Sequence, residues 1–196
     1  NKALAALKKA PDNDVNKYFR PANLQNNLAA LFSAEGKTTE AIMAIQNTIN
    51  GFQNFIAGKE QGPKRESAME GLFEAIDNLA GIYKEIGDYG KAGQLLQYSY
   101  KQKKQNLDPK HPGIFISEIL LGQYYNAIYE NNTALEYLQS GLTKLENTEG
   151  DYLFWAADAY YTLALINENR KESKKAEEFY SKSEALYEES YKGQYD

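Results

Sequence analysis

The chain has 196 residues, 42% of them hydrophobic, and 22 Lys and Arg against 27 Asp and Glu give a formal charge of −5; this length fits one domain burying roughly 70% of its unfolded surface. A mildly acidic chain without a basic block lacks the electrostatic footprint of a nucleic-acid binder and the polybasic signature of a membrane-surface helix. With no Cys, and with His111 as the only His, disulfides, thiolate nucleophiles and multi-His metal sites are excluded.

Taken in chain order, four stretches align: LAALF from Leu28, LAGIY from Leu79, LGQYY from Leu121 and LALIN from Leu163. Each has Leu, then a small residue, then an aromatic three positions after the small residue, except that Asn167 replaces the aromatic in the last. Twelve residues after each small residue stands an alanine, Ala41, Ala92, Ala134 or Ala176, and four further on come Ile45, Leu96, Leu138 and Tyr180. The alanine spacings are 51, 42 and 42 residues, so the chain is an internal repeat. The nine extra residues of the first spacing are expected in the loop GKEQGPKR from Gly58.

Each unit predicts two helices. In the second, Ile76, Leu79, Ala80, Tyr83 and Gly87 share one helical face, and Gly87 with Asp88 ends it at a left-handed cap. Ala92, Leu95, Leu96, Ser99 and Tyr100 then share a face of the next helix. Ala80 and Ala92 are small because the two axes must approach to the short end of about 8–10 Å. Strand patterns bounded by hairpin turns are missing. The predicted class is all-α, an α-α solenoid of antiparallel helix pairs.

Small residues at the eighth and twentieth places of a helix–turn–helix unit, with an aromatic at the eleventh, resemble the tetratricopeptide repeat (TPR). Here the eighth places are Ala29, Ala80, Gly122 and Ala164, and the eleventh are Phe32, Tyr83, Tyr125 and Asn167. The 42-residue period, with NNLAALF, DNLAGIY and LDPKHP, is similar to the kinesin-light-chain-like branch, and to bacterial arrays that accompany signalling or protease domains. Tyr129 and Lys171 depart from the pattern by replacing the turn glycine. The resemblance implies a right-handed superhelix divided as 1–20, the second helix of a truncated repeat and a linker; 21–57, repeat 1; 58–65, an inserted loop; 66–109, repeat 2; 110–149, repeat 3; and 150–196, repeat 4. In KALAALKKAPDN, Ala3, Leu7 and Ala10 hold the places expected of that truncated repeat. Because the chain opens at Asn1, excision from something longer is expected.

In this family the first helix of each pair lines a concave groove. Asn27 and Asn78 take the sixth place, Ala30, Gly81, Gln123 and Leu165 the ninth, and Ser33, Lys84, Asn126 and Glu168 follow one turn later. Asn carries both a donor and an acceptor and suits an extended peptide backbone. The expected peptide-binding residues are therefore Asn27, Asn78, Lys84, Gln123, Asn126 and Tyr161. Most of the 16 tyrosines are expected in packing with their hydroxyls reaching solvent. His111 is expected at a turn, without catalytic partners, and no cofactor or metal is implied.

The resulting expectation is a non-catalytic protein- or peptide-binding module, cytoplasmic rather than periplasmic. The alternative is a self-associating scaffold or sensor segment of a larger signalling or protease protein. There a homodimer would form through uncapped terminal helices, the last carrying Phe179, Leu186 and Tyr187.

Overall fold

The computed structural model describes residues 13–59, 61–148 and 152–192. Among them are eight α-helices and no strands: α1 (Arg20–Ala34), α2 (Thr38–Ala57), α3 (Pro63–Glu85), α4 (Tyr89–Asn106), α5 (Pro112–Ala127), α6 (Asn131–Leu145), α7 (Leu153–Asn169) and α8 (Ser173–Lys192). A π-helical turn, Val15–Phe19, runs directly into α1. The expected all-α class holds. The helix expected over Asn1 to Ala10 lies outside the described residues.

Four turns repeat one backbone design. Gly36, Gly87, Tyr129 and Lys171 adopt left-handed φ values of 71°, 80°, 65° and 62°. Just beyond each, the amides of Lys37, Asp88, Glu130 and Glu172 donate back to the carbonyls of Phe32, Tyr83, Tyr125 and Asn167 at 2.8, 2.8, 2.8 and 2.9 Å. This is the long bond of a Schellman motif, which satisfies a carbonyl the helix end would leave without a partner. The repeated alanines then lie in the first turn of the next helix. The amides of Ala41, Ala92, Ala134 and Ala176 donate to Lys37, Asp88, Glu130 and Glu172 at 2.9, 3.0, 2.9 and 3.1 Å. The repeat register of the sequence is thus the register of the turns.

The extra residues of the first spacing do not fall in its loop. Helix α3 has 23 residues against 16 in α5, and α2 continues two residues further past Ala41 than α4 does past Ala92. Pro63 takes the first turn of α3, where its missing N–H costs nothing, so the end of GKEQGPKR is helical. A Gly/Pro-rich stretch suggests a loop, but Pro just inside a helix start is also a start signal.

The chain divides into two compact units, Asn1–Leu95 and Leu96–Asp196. In the first, α2 packs on α1 and α3. Ala29, Ala41, Ala44, Ile45, Ala75, Leu79 and Ile82 form one buried cluster, and Ala22, Phe52, Phe55 and Ala68 another. In the second, α5 pairs with α6, α7 pairs with α8, and both α5 and α6 contact α7. Ile119, Leu138, Leu142, Leu163 and Ile166 lie at the centre of its core. The expected small residues mark close contacts. A Cβ on Gly122 would meet Leu138 Cγ at 2.5 Å and the Ala134 carbonyl at 3.1 Å.

The last helix differs from expectation. Phe179 stacks on Tyr160 with ring centroids 5.9 Å apart, and Leu186 packs against the core of the second unit. The antiparallel α7–α8 pair covers these side chains. Phe179 and Leu186 are half-buried rather than exposed. The exposed positions of α8 include Lys174, Glu177, Glu178, Glu184, Glu188, Glu189 and Tyr191.

Candidate partner-binding surface

In the first unit, Asn27 on α1 and Asn78 on α3 are exposed, and their two helices are in contact. Both stand two residues before a buried alanine, Ala29 or Ala80. That spacing rotates the amide about 200° around the helix axis from the packed alanine. Gly81 leaves open space where a side chain would stand. Lys84, in the last turn of α3, is half-buried.

In the second unit, Gln123 and Tyr161 are brought to neighbouring positions on α5 and α7. Gln123 Nε2 donates to Asp158 Oδ2 at 3.1 Å, and Asp158 lies one helical turn before Tyr161. The other carboxylate oxygen of Asp158 accepts the Tyr187 hydroxyl from α8. Tyr161 is exposed, its ring edge-on to Tyr180 with centroids 5.7 Å apart. Asn126 is half-buried, with its Oδ1 enclosed and lacking a hydrogen-bond partner. It is less available than the exposed Tyr161. Tyr124 is half-buried, edge-on to Tyr125 at 5.2 Å.

Four tyrosines differ from the expectation that hydroxyls reach solvent. Their hydroxyls donate to carboxylates: Tyr100 to Glu118, Tyr160 to Glu146 and Tyr180 to Glu168, each at 2.9 Å, and Tyr187 to Asp158. Burial, and then the bond to the carboxylate, push Tyr160 and Tyr180 up to about 12. The same causes raise Tyr100 and Tyr187 further.

Glu118 is the most enclosed of these carboxylates. It is 4% exposed and accepts from Tyr100, from Ser140 at 3.0 Å and from Lys144 Nζ at 2.7 and 2.8 Å. That set is satisfied within the core and ties α4, α5 and α6 together. His111 caps α5, its Nδ1 accepting from the Gly113 amide at 3.1 Å.

Sequence reasoning missed Phe154, Asp158 and Tyr187 as surface groups acting with Tyr161. Phe154, Asp158 and Tyr161 follow i, i+4, i+7 spacing, which was available in the sequence. Among the described residues no helix is long and apolar enough to cross a membrane.

No protein-family model matches the sequence, and none of the curated proteins does. Solved structures do match. The chain is similar to BtubC (BKLC) of P. vanneervenii, with a TM-score of 0.64 and 14% identity over 96% of this chain and 73% of that one. It is similar to a Podosopora anserina protein of nearly identical TPR-like repeats, named for kinesin light chain, with a TM-score of 0.59 and 18% identity over 95% and 82%. It is also similar to the apo form of RapI, with a TM-score of 0.67 and 13% identity over 95% of this chain and 48% of that one. At these identities the likeness is one of architecture. The chain has the fold of the TPR-like repeat proteins, all-α and built of antiparallel helix pairs.

Proposed function

We propose that the chain is a non-catalytic protein-interaction module that docks an extended segment of a partner protein on the exposed face of its repeat-opening helices. Asn27, Asn78, Lys84, Gln123, Asn126 and Tyr161 are the residues proposed to make the contacts. The observation that carries this reading is the matched exposure of Asn27 and Asn78 on contacting helices. Two equivalent amides, each with donors and an acceptor, suit the backbone of a peptide running across successive repeats. Likeness to TPR-like repeat proteins supports an interaction role through fold analogy.

The test is chemical cross-linking of the full chain to proteins of its source cells. Wild type is compared with the Asn27→Ala/Asn78→Ala variant, and both are checked for equal helicity. A partner captured by the wild type and lost from the variant supports the reading. A partner captured equally by both removes these asparagines from the site, and no specific partner removes the reading itself.

A further inference from the structure

One surface of the second unit combines aromatic rings and negative charge. On α7, Phe154, Asp158 and Tyr161 share a face. On α8, Tyr180, Glu184, Tyr187 and Tyr191 share another. The two faces meet. Phe154 lies edge-on to Tyr187 with centroids 5.8 Å apart, and Tyr161 edge-on to Tyr180 at 5.7 Å. Phe154 and Tyr161 stand roughly 10 Å apart along the helix axis, with Asp158 between them. Phe154 and Tyr161 are each 47% exposed and Tyr191 is 58% exposed, more than core packing requires.

Asp158 is half-buried, and the two donors to its carboxylate, Gln123 and Tyr187, are neutral. A carboxylate offers about four acceptor sites, so each oxygen keeps capacity for a further donor. The lysines of α8 nearest this face are engaged elsewhere. Lys182 bonds Glu178 at 2.8 Å and lies over Tyr160 and Phe179, and Lys192 pairs with Glu188 at 3.7 Å. Charge is divided unevenly between the units. Eleven basic and eleven acidic residues precede Leu96, so the whole formal charge of −5 falls on Leu96–Asp196.

A half-desolvated carboxylate flanked by exposed aromatic rings suits a cation. Between the two cationic side chains, Arg fits better than Lys. Its planar guanidinium stacks on aromatic rings, and its fork can donate to both oxygens of one carboxylate. Resting on the interaction-module reading, we propose that this α7–α8 face receives an arginine side chain of a basic partner segment. The guanidinium lies against Tyr161 and Phe154 and donates to Asp158. The surplus negative charge of the second unit steers such a segment toward it.

The test is selection of random phage-displayed peptides of roughly 12 residues on the full chain, followed by titration of the selected peptide as a synthetic probe. The expected result is peptides containing Arg, whose affinity falls roughly tenfold when Arg is replaced by the neutral isostere citrulline. A similar fall is expected with Asp158→Asn and, as a variant at an exposed position that leaves Asp158 in place, with Tyr161→Ala. Raised salt should weaken binding to the wild type and do less to Asp158→Asn. Selected peptides without Arg, or affinity indifferent to citrulline, overturn this inference and leave the interaction-module reading standing. Recovery of no peptide at all overturns both.

Discussion

Gly122 on α5 and Leu138 on α6 lie so close that a Cβ on the glycine would fall 2.5 Å from Leu138 Cγ and 2.8 Å from its Cδ2. These atoms belong to a fully buried side chain that cannot swing into solvent. Gly122→Ala should therefore force the two helices apart. A loss of about 1–3 kcal/mol is expected, and thermal unfolding should show it as a midpoint lowered by roughly 2–4 °C per kcal/mol. An unchanged midpoint would mean that the α5–α6 contact is looser than it stands here.

Tyr129 and Lys171 hold the left-handed conformation that glycine supplies at Gly36 and Gly87. A side chain there costs roughly 1–2 kcal/mol, offset in part by the larger entropy of glycine in the unfolded chain. Lys171→Gly should raise the unfolding midpoint, and Gly87→Ala should lower it. The side chain of Lys171 is exposed, so its removal disturbs little packing. A lower midpoint for Lys171→Gly would contradict this account.

The Glu118–Lys144 pair joins a carboxylate 5% exposed to an ammonium group 42% exposed. Removing the cation by Lys144→Met leaves the charge of Glu118 with only the hydroxyls of Tyr100 and Ser140. Because Lys144 reaches solvent, the cost should lie at about 1–3 kcal/mol, below the 3–5 of a fully enclosed pair. Adding Glu118→Gln should cost less than the sum of the two single changes. Denaturant unfolding of the four proteins measures this coupling, and strict additivity would show that the pair contributes nothing.

Tyr160 and Tyr180 are held at about 12 in the folded chain by burial and by bonds to Glu146 and Glu168, against about 10 for an unfolded tyrosine. Above pH ~10 the unfolded chain loses these protons more readily. The stabilisation is therefore complete below pH ~10 and disappears as pH rises toward ~12. Chemical denaturation across that interval should show falling stability in the wild type and a shallower fall in Tyr160→Phe. Phenolate absorbance should place the ionisation of these rings above that of free tyrosine.

The parts of the fold legible in the sequence are those where geometry leaves few residue choices. Ala80, Ala92, Gly122 and Ala134 stand where helices touch, and only small side chains fit. Gly36 and Gly87 stand where φ is positive. The tyrosine–carboxylate bonds were not legible. Tyr187 and Asp158 are 29 residues apart and Tyr100 and Glu118 are 18 apart, and each pairing depends on how two helices rotate about their axes. The packing of Phe179 was not legible for a related reason: one helical stripe in the sequence does not say whether the preceding helix already covers it. Of the surface residues, Gln123, Asp158 and Tyr161 could be placed by helical spacing, but the bonds that join Asp158 to Gln123 and Tyr187 on two other helices could not.

The four identical turns bear on how this molecule can be rebuilt. Their bonds run between backbone groups, so the joint tolerates Gly, Tyr or Lys at its sharpest point. Tyr129 and Lys171 are 42 residues apart in the same conformation, so cutting at both and splicing in a second copy of the intervening stretch would rejoin like geometry to like. A chain lengthened in this way would carry another helix pair, inserted without a new linker and without altering either original end.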